Sequence, residues 1–247
     1  MRRFFTEPQN IAENKARIFE DASHITKVLR MNIGDEILIF DGTGYEYTAR
    51  LTALDKERCE AEITSSQFSN QEAPVKVTIY QGIPKSGKME GIIQKSVELG
   101  VYAIVPVAMD RCVSKLDNGK KELEKIKRWN KVAVEAAKQC GRGILPEVMP
   151  PLTFDKALLD AKNSELVLMP YEMLGHMGVS SLKTALKESN AKSVAVIIGP
   201  EGGFSDGEAD RAKDSGVTLV GLGRRILRTE TVSSAILSAI MYEKGEF

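Results

Sequence analysis

The chain is poor in the residues from which the commonest catalytic and metal sites are built. Its 247 residues include three cysteines, two histidines and one tryptophan. Cys59, Cys112 and Cys140 are an odd number, widely separated and without a CxxC pair, which excludes a zinc knuckle or a disulfide framework and fits inert thiols in a reducing compartment. His24 and His176 are far apart in the chain, so a His-based metal centre or a Ser-His-Asp triad has little to build from. Each reads as a satisfied or surface histidine. No apolar run approaches the ~18 residues of a membrane span, and the opening MRRFFTEPQN lacks the apolar stretch of a secretion signal. The expectation is a cytoplasmic protein with no membrane and no metal partner. Net charge is missing as well. The 34 Lys+Arg balance 34 Asp+Glu, so there is no global basic field of the kind that marks many nucleic-acid binders.

What is present is an ordinary globular composition, 43% apolar and 28% charged, in a chain long enough for one large domain or two smaller ones. The charge is unevenly spread. Residues 71–150 carry 14 basic and 9 acidic groups, whereas both flanking segments are net acidic. An anionic partner is expected at the middle of the chain.

The first 70 residues read as short strands broken by turns. Residues 35–41, 45–54 and 59–63 alternate, and Asp41-Gly-Thr-Gly44 is a hairpin-like turn. This predicts a small β-barrel. From about residue 74 the grammar changes to strand-helix alternation. Strands are expected at 75–80, 101–107, 166–169, 194–198 and 217–220, with helices at 86–99 and 116–140. That pattern means an α/β domain with a mostly parallel sheet. The polar stretch 69–73 sets the boundary, giving domains at 1–72 and 73–247.

Gly82-Ile-Pro-Lys-Ser-Gly-Lys88 matches the phosphate-loop spacing GxxxxGK, but Met89 stands where a hydroxyl would ligate Mg²⁺. Nucleotide hydrolysis is therefore a distant reading, and Lys85 and Lys88 are better read as cations on a phosphate-binding surface. Gly221-Leu-Gly223 begins a dinucleotide fingerprint that Ile226 breaks.

The strongest signal is a pair of loops following two C-terminal strands. Gly199-Pro-Glu-Gly-Gly-Phe204 precedes Ser205 and Glu208, which are spaced as a capping box. Gly221-Leu-Gly-Arg-Arg-Ile-Leu-Arg-Thr-Glu230 feeds a last helix placed from about Thr231. Ligands of open parallel sheets bind beyond the carboxyl ends of the strands, where both loops fall. The plainer alternative is a pair of short connections, which would have little need for so many glycines, a proline and three arginines. The loops offer backbone amides, apolar edges and a few charges, but no phosphate cradle, which suits an adenosine-bearing molecule whose chemistry is built in.

These two loops, together with Arg2-Arg-Phe-Phe5, His24 to Arg30, the segment Lys85 to Val101, Glu135 with Gln139 and Arg142, and Pro170-Tyr-Glu172, resemble the SPOUT class of RNA methyltransferases. More narrowly they resemble the ribosomal RNA small subunit methyltransferase E family. The resemblance implies a PUA-like RNA-binding barrel followed by an α/β domain with a C-terminal trefoil knot. It implies S-adenosylmethionine as cofactor, held by three strand ends through Leu168, Glu172, Ile198, Gly199, Pro200, Glu201, Gly202, Gly203, Leu219, Gly221, Leu222, Gly223, Ile226, Leu227 and Arg228. It implies methylation at N3 of one uridine of small-subunit ribosomal RNA, by a homodimer.

Loss of the uracil N3 proton calls for a base or for a cation that steadies the anion. The candidates are Glu201 and Glu230 as bases, and Arg228, Arg225 or Arg2 as cations, with Arg228 preferred. RNA contact is expected from Arg2, Arg3, Lys85, Lys88, Lys95, Arg111, Lys115 and Arg142. Val232, Ala235, Ile236, Ala239 and Ile240 form a helical stripe suited to a dimer interface or a buried core helix. The competing reading from another class is an RNA-binding ribosome-assembly factor that uses its cofactor only as a sensor.

Overall fold

The structure is a computed structural model that describes residues 1–85, 87–113, 119–176 and 182–246. It divides into two compact units: Met1–Glu72 with Val134–Leu145, and Ala73–Ala133 with Pro146–Phe247.

The first unit is built on β1 (Arg2–Phe5), β2 (Ile11–Ala12), β3 (Lys15–Ile18), β4 (Glu36–Phe40), β5 (Tyr45–Ala53) and β6 (Cys59–Phe68). They form one sheet in the order β1-β4-β5-β6-β3-β2, antiparallel except for the β1–β4 pair. Alternation in β4 sends Ile37 and Ile39 into a core with Phe4, Ile18, Ile25, Ala49 and Leu51. The Asp41–Gly44 turn is tied by the Asp41 carboxylate, which accepts from the Thr43 amide at 2.8 Å and the Tyr47 hydroxyl at 3.0 Å. Burial and this bond to a carboxylate push the Tyr47 phenol up to about 12.

The segment 134–145 completes this unit. Arg142, 5% exposed, pairs with Glu72 at 2.6 Å. Lys138 pairs with Asp21 at 2.9 Å. Arg3 pairs with Glu46 at 2.6 Å, donates to the Arg142 carbonyl and lies 4.5 Å from the centre of the Phe40 ring.

The second unit alternates as its sequence predicts: β7 (Lys76–Gly82), α1 (Lys88–Glu98), β8 (Ala103–Ala108), α2 (Lys120–Cys140), β9 (Glu147–Val148), β10 (Leu152–Thr153), α3 (Phe154–Ala161), β11 (Leu166–Pro170), α4 (Glu172–His176), α5 (Leu182–Lys187), β12 (Ser193–Ile198), α6 (Asp206–Asp214), β13 (Thr218–Val220) and α7 (Thr229–Glu243). Lys115 and the first residues of the helix expected over 116–140 lie outside the described residues.

All strands of this unit run parallel, in the order β10-β8-β7-β12-β11-β13, with β9 beside β8. Central β12 is buried throughout Val194–Ile198, as a strand covered on both faces must be. α1 ends at Glu98, Leu99 caps it, and Gly100 follows with φ +86°, closing the helix in the left-handed conformation. Ser205 and Glu208 make the expected reciprocal cap on α6.

The α7 stripe needs correction. Ile236 and Ile240 are fully buried within the chain, with Ser233, Leu237 and Met241, whereas Val232 and Ala239 are half-buried and Ala235 is exposed. At 100° per residue, 232-235-239-242 form one line and 233-236-240 another, so the five residues belong to two faces.

Candidate active site

A cavity of about 520 Å³ opens where β11, β12 and β13 end. Its walls are Pro170–Glu172 at the end of β11, Ile198–Phe204 at the end of β12, and Leu222–Thr229 with Val232 around the start of α7, with Lys88 from α1. The volume falls in the usual range for small-molecule sites, and the place is the carboxyl edge of a parallel sheet.

Two glycines let the first loop lie close against β7 and against the end of β11. A Cβ on Gly82, the last residue of β7, would lie 2.6 Å from the Pro200 nitrogen. Gly203 has φ +67°, and a Cβ there would lie 2.8 Å from Glu172 Oε1. Behind the cavity, buried Thr229 donates to the Gly199 carbonyl at 2.7 Å and accepts from Gln81 Nε2 at 2.9 Å. This joins β7, the first loop and α7 in one chain of hydrogen bonds.

Lys85 and Lys88 do hold an anion, and the anion is the protein's own. Glu201 accepts from the Lys85 amide at 3.1 Å, and Lys88 Nζ lies 3.2 Å from Glu201 and 3.2 Å from Glu230. For Glu201, burial works to raise the carboxyl. Its own amide, the Lys85 amide and the Lys88 ammonium outweigh it and hold the group below its ordinary value. For Glu230, its own helix-start amide, opposed by burial and joined by Lys88 and Arg228, does the same. Bonds to both carboxylates raise Lys88. A carboxylate held below its ordinary value is a poorer acceptor for the proton of a ring N–H than an ordinary one.

Of the residues named from sequence for the cofactor, Glu172, Ile198 through Gly203, Leu222, Gly223, Ile226, Leu227 and Arg228 line the cavity. Leu168 does not. It is fully buried within β11, where Met169 and Pro170 beside it are buried as well. Leu219 packs against the apolar core and Gly221 is buried, so neither lines the wall. Arg224, Arg225 and Arg228 are exposed at the cavity. Thr229 and Lys88 were not named for the site. A lysine in the first turn of a helix opposes the helix dipole, and that misfit is a sequence signal of acidic partners.

The cations named for RNA fall into two groups. Arg2, Lys85, Lys95 and Arg111 are exposed, Arg111 reaching the Gly202 carbonyl at 3.0 Å. Arg3 and Arg142 are instead spent on internal pairs of the first unit, and Lys88 on the two site carboxylates.

The RNA methyltransferase domain family matches residues 71–241, and the RNA methyltransferase PUA domain family matches residues 20–64. A protein of Bacillus subtilis named ribosomal RNA small subunit methyltransferase E is 37% identical over 98% of this chain and 97% of its own. The chain belongs to the ribosomal RNA small subunit methyltransferase E family. Among solved structures, the family's Neisseria gonorrhoeae member bound to S-adenosyl methionine has a TM-score of 0.84 at 32% identity, covering 98% of this chain and 97% of that one. A Legionella pneumophila methyltransferase in complex with the bound cofactor has a TM-score of 0.87 at 32% identity, covering 97% and 96%. The PUA-domain match falls in the first unit of this chain, and its α/β unit carries the cavity described above. Among the described residues there is no group of side chains able to hold a metal ion and no helix long and apolar enough to cross a membrane.

Proposed function

We propose that the chain is an S-adenosylmethionine-dependent methyltransferase acting at N3 of a uridine in small-subunit ribosomal RNA. The observation that carries this reading is a cavity lined by the two glycine-bearing loops, inside the domain that matches RNA methyltransferases.

The residues present suit the cofactor. Ile198, Pro200, Leu222, Leu227 and Val232 supply apolar walls for a flat ring, and Glu172 and Glu201 supply negative charge for a sulfonium. When bound, the cofactor supplies an electrophilic methyl whose bonding pair returns to sulfur. The chain supplies orientation: rigid loops hold the donor, and the exposed cations bring RNA phosphates to the cavity mouth. Arg228, exposed at that mouth, is placed to steady the uracil anion once N3 loses its proton. Glu201 and Glu230 share the Lys88 ammonium between them. The knot implied by the family resemblance would account for how both loops come to close one cavity.

We also propose a homodimer through the outer face of α7, where Val232, Ala235 and Ala239 lie beside Tyr242, which is 69% exposed. Small residues let two such helices approach closely. The enzyme would work in the cytoplasm, where its substrate is made.

Titration calorimetry with S-adenosylmethionine, followed by methyl transfer to unmodified small-subunit particles and nucleoside analysis, tests the reading. Binding with transfer to uridine N3 is expected. Binding without transfer would favour the assembly-factor reading, and no binding would remove the cofactor assignment.

A further inference from the structure

We propose that Lys88 is a positioning residue that clasps the two cavity loops together and thereby preforms the cofactor site. The inference rests on the reading of that cavity as the S-adenosylmethionine site. Lys88 stands in the first turn of α1, outside both loops, yet its ammonium reaches Glu201 on one and Glu230 at the foot of the other, each at 3.2 Å. Glu201 is held from a second direction by the Lys85 amide. The arrangement therefore links three separate stretches of chain: the turn after β7, the loop after β12 and the start of α7.

A lysine at a helix N-terminus is repelled by the dipole, and two carboxylates within reach of one ammonium repel each other once it is gone. Together the three groups cancel most of these costs. Remove the ammonium and Glu201 and Glu230 are left as like charges on the two loops that must stay close. The loops then part, and the cavity exists for less of the time. A ligand that needs the closed arrangement binds more weakly in proportion, while the chemistry of the molecules that do bind is unchanged.

The clasp is partly exposed, its side chains showing 34%, 23% and 26% of their surface, so its effect should be moderate. For Lys88→Met, the dissociation constant of S-adenosylhomocysteine by calorimetry and the KM for S-adenosylmethionine should each rise about fivefold to tenfold. The kcat at saturating cofactor should stay within about threefold, and Lys88→Arg, which keeps the charge and reach, should recover most of the lost affinity. In the wild type, raising NaCl to about 0.5 M should weaken cofactor binding, and this salt response should be smaller in Lys88→Met. If Lys88→Met fails to fold by circular dichroism, Glu230→Gln cuts one arm of the clasp and should show the same KM-only change at reduced size.

Unchanged affinity in a folded Lys88→Met would overturn the proposal. So would a fall in kcat with affinity intact, which would place Lys88 on the reacting base instead. Wild-type protein that binds no S-adenosylhomocysteine would overturn the reading of the cavity, and the clasp with it.

Discussion

At the scale of single residues, charge is arranged in the site so that one group's position explains another's ionisation. Glu201 and Glu230 titrate below their ordinary 4.5, and Lys88 titrates above its ordinary 10.5. A carboxylate with a depressed folded-state value stabilises the fold above its unfolded value and loses that contribution as pH falls through the folded one. A raised lysine contributes below its unfolded value and loses the contribution as pH rises through the folded one. From these three groups, stability should be flat between about pH 5 and 10, and fall on both sides. Melting temperature followed against pH should show that shape, and in Lys88→Met the acid limb should be shallower, because the two carboxylates then lie nearer their ordinary values. Arg228 bears on the reaction instead. Arg228→Ala should cut turnover about a hundredfold with cofactor affinity intact, as loss of one anion-stabilising donor does. Single-turnover rates at saturating cofactor would show it, and an unchanged rate would remove Arg228 from the chemistry.

At the scale of elements, strands and helices were the most legible part of the sequence. Alternation in β4 and the unbroken apolar run of β12 differ because one strand is covered on one face and the other on both. The two loops were legible too, since glycine, proline and arginine leave a compositional trace. Thr229 left none: helix α7 begins at this residue, two positions before the sequence suggests, and its hydroxyl matters only because Gly199 and Gln81 come to it from elsewhere in the chain. The same holds for Arg142, whose partner Glu72 is 70 positions away, and for the stripe on α7, where residues of two faces looked like one. Long-range partners are set by the fold and carry no local signature. Thr229→Val tests the hidden network. It leaves the Gly199 carbonyl and the Gln81 amide short of a partner, so it should cost about 1–3 kcal/mol and lower Tm by roughly 2–4 °C for each kcal/mol, with weaker cofactor binding. Differential scanning calorimetry would register it.

For the whole molecule, the proposals concern assembly and partner. Light scattering should give a mass near twice 27.2 kDa, and Ala235→Glu on the outer face of α7 should shift it toward the monomer while leaving the secondary structure intact. RNA affinity should fall by roughly 0.7–0.9 log units per decade of salt for each phosphate contact, and Lys85→Ala or Arg111→Ala should each reduce that slope.

The chain passes from one compact unit to the other three times, because residues 134–145 belong to the first. This has a bearing on heredity. A recombination event that copied residues 1–72 into another gene would carry Glu72 and Asp21 without Arg142 and Lys138, leaving two carboxylates stripped of their counter-charges. Neither unit can be shuffled by a single cut and splice. Substitutions on either side of the Arg142–Glu72 contact are expected to change in concert.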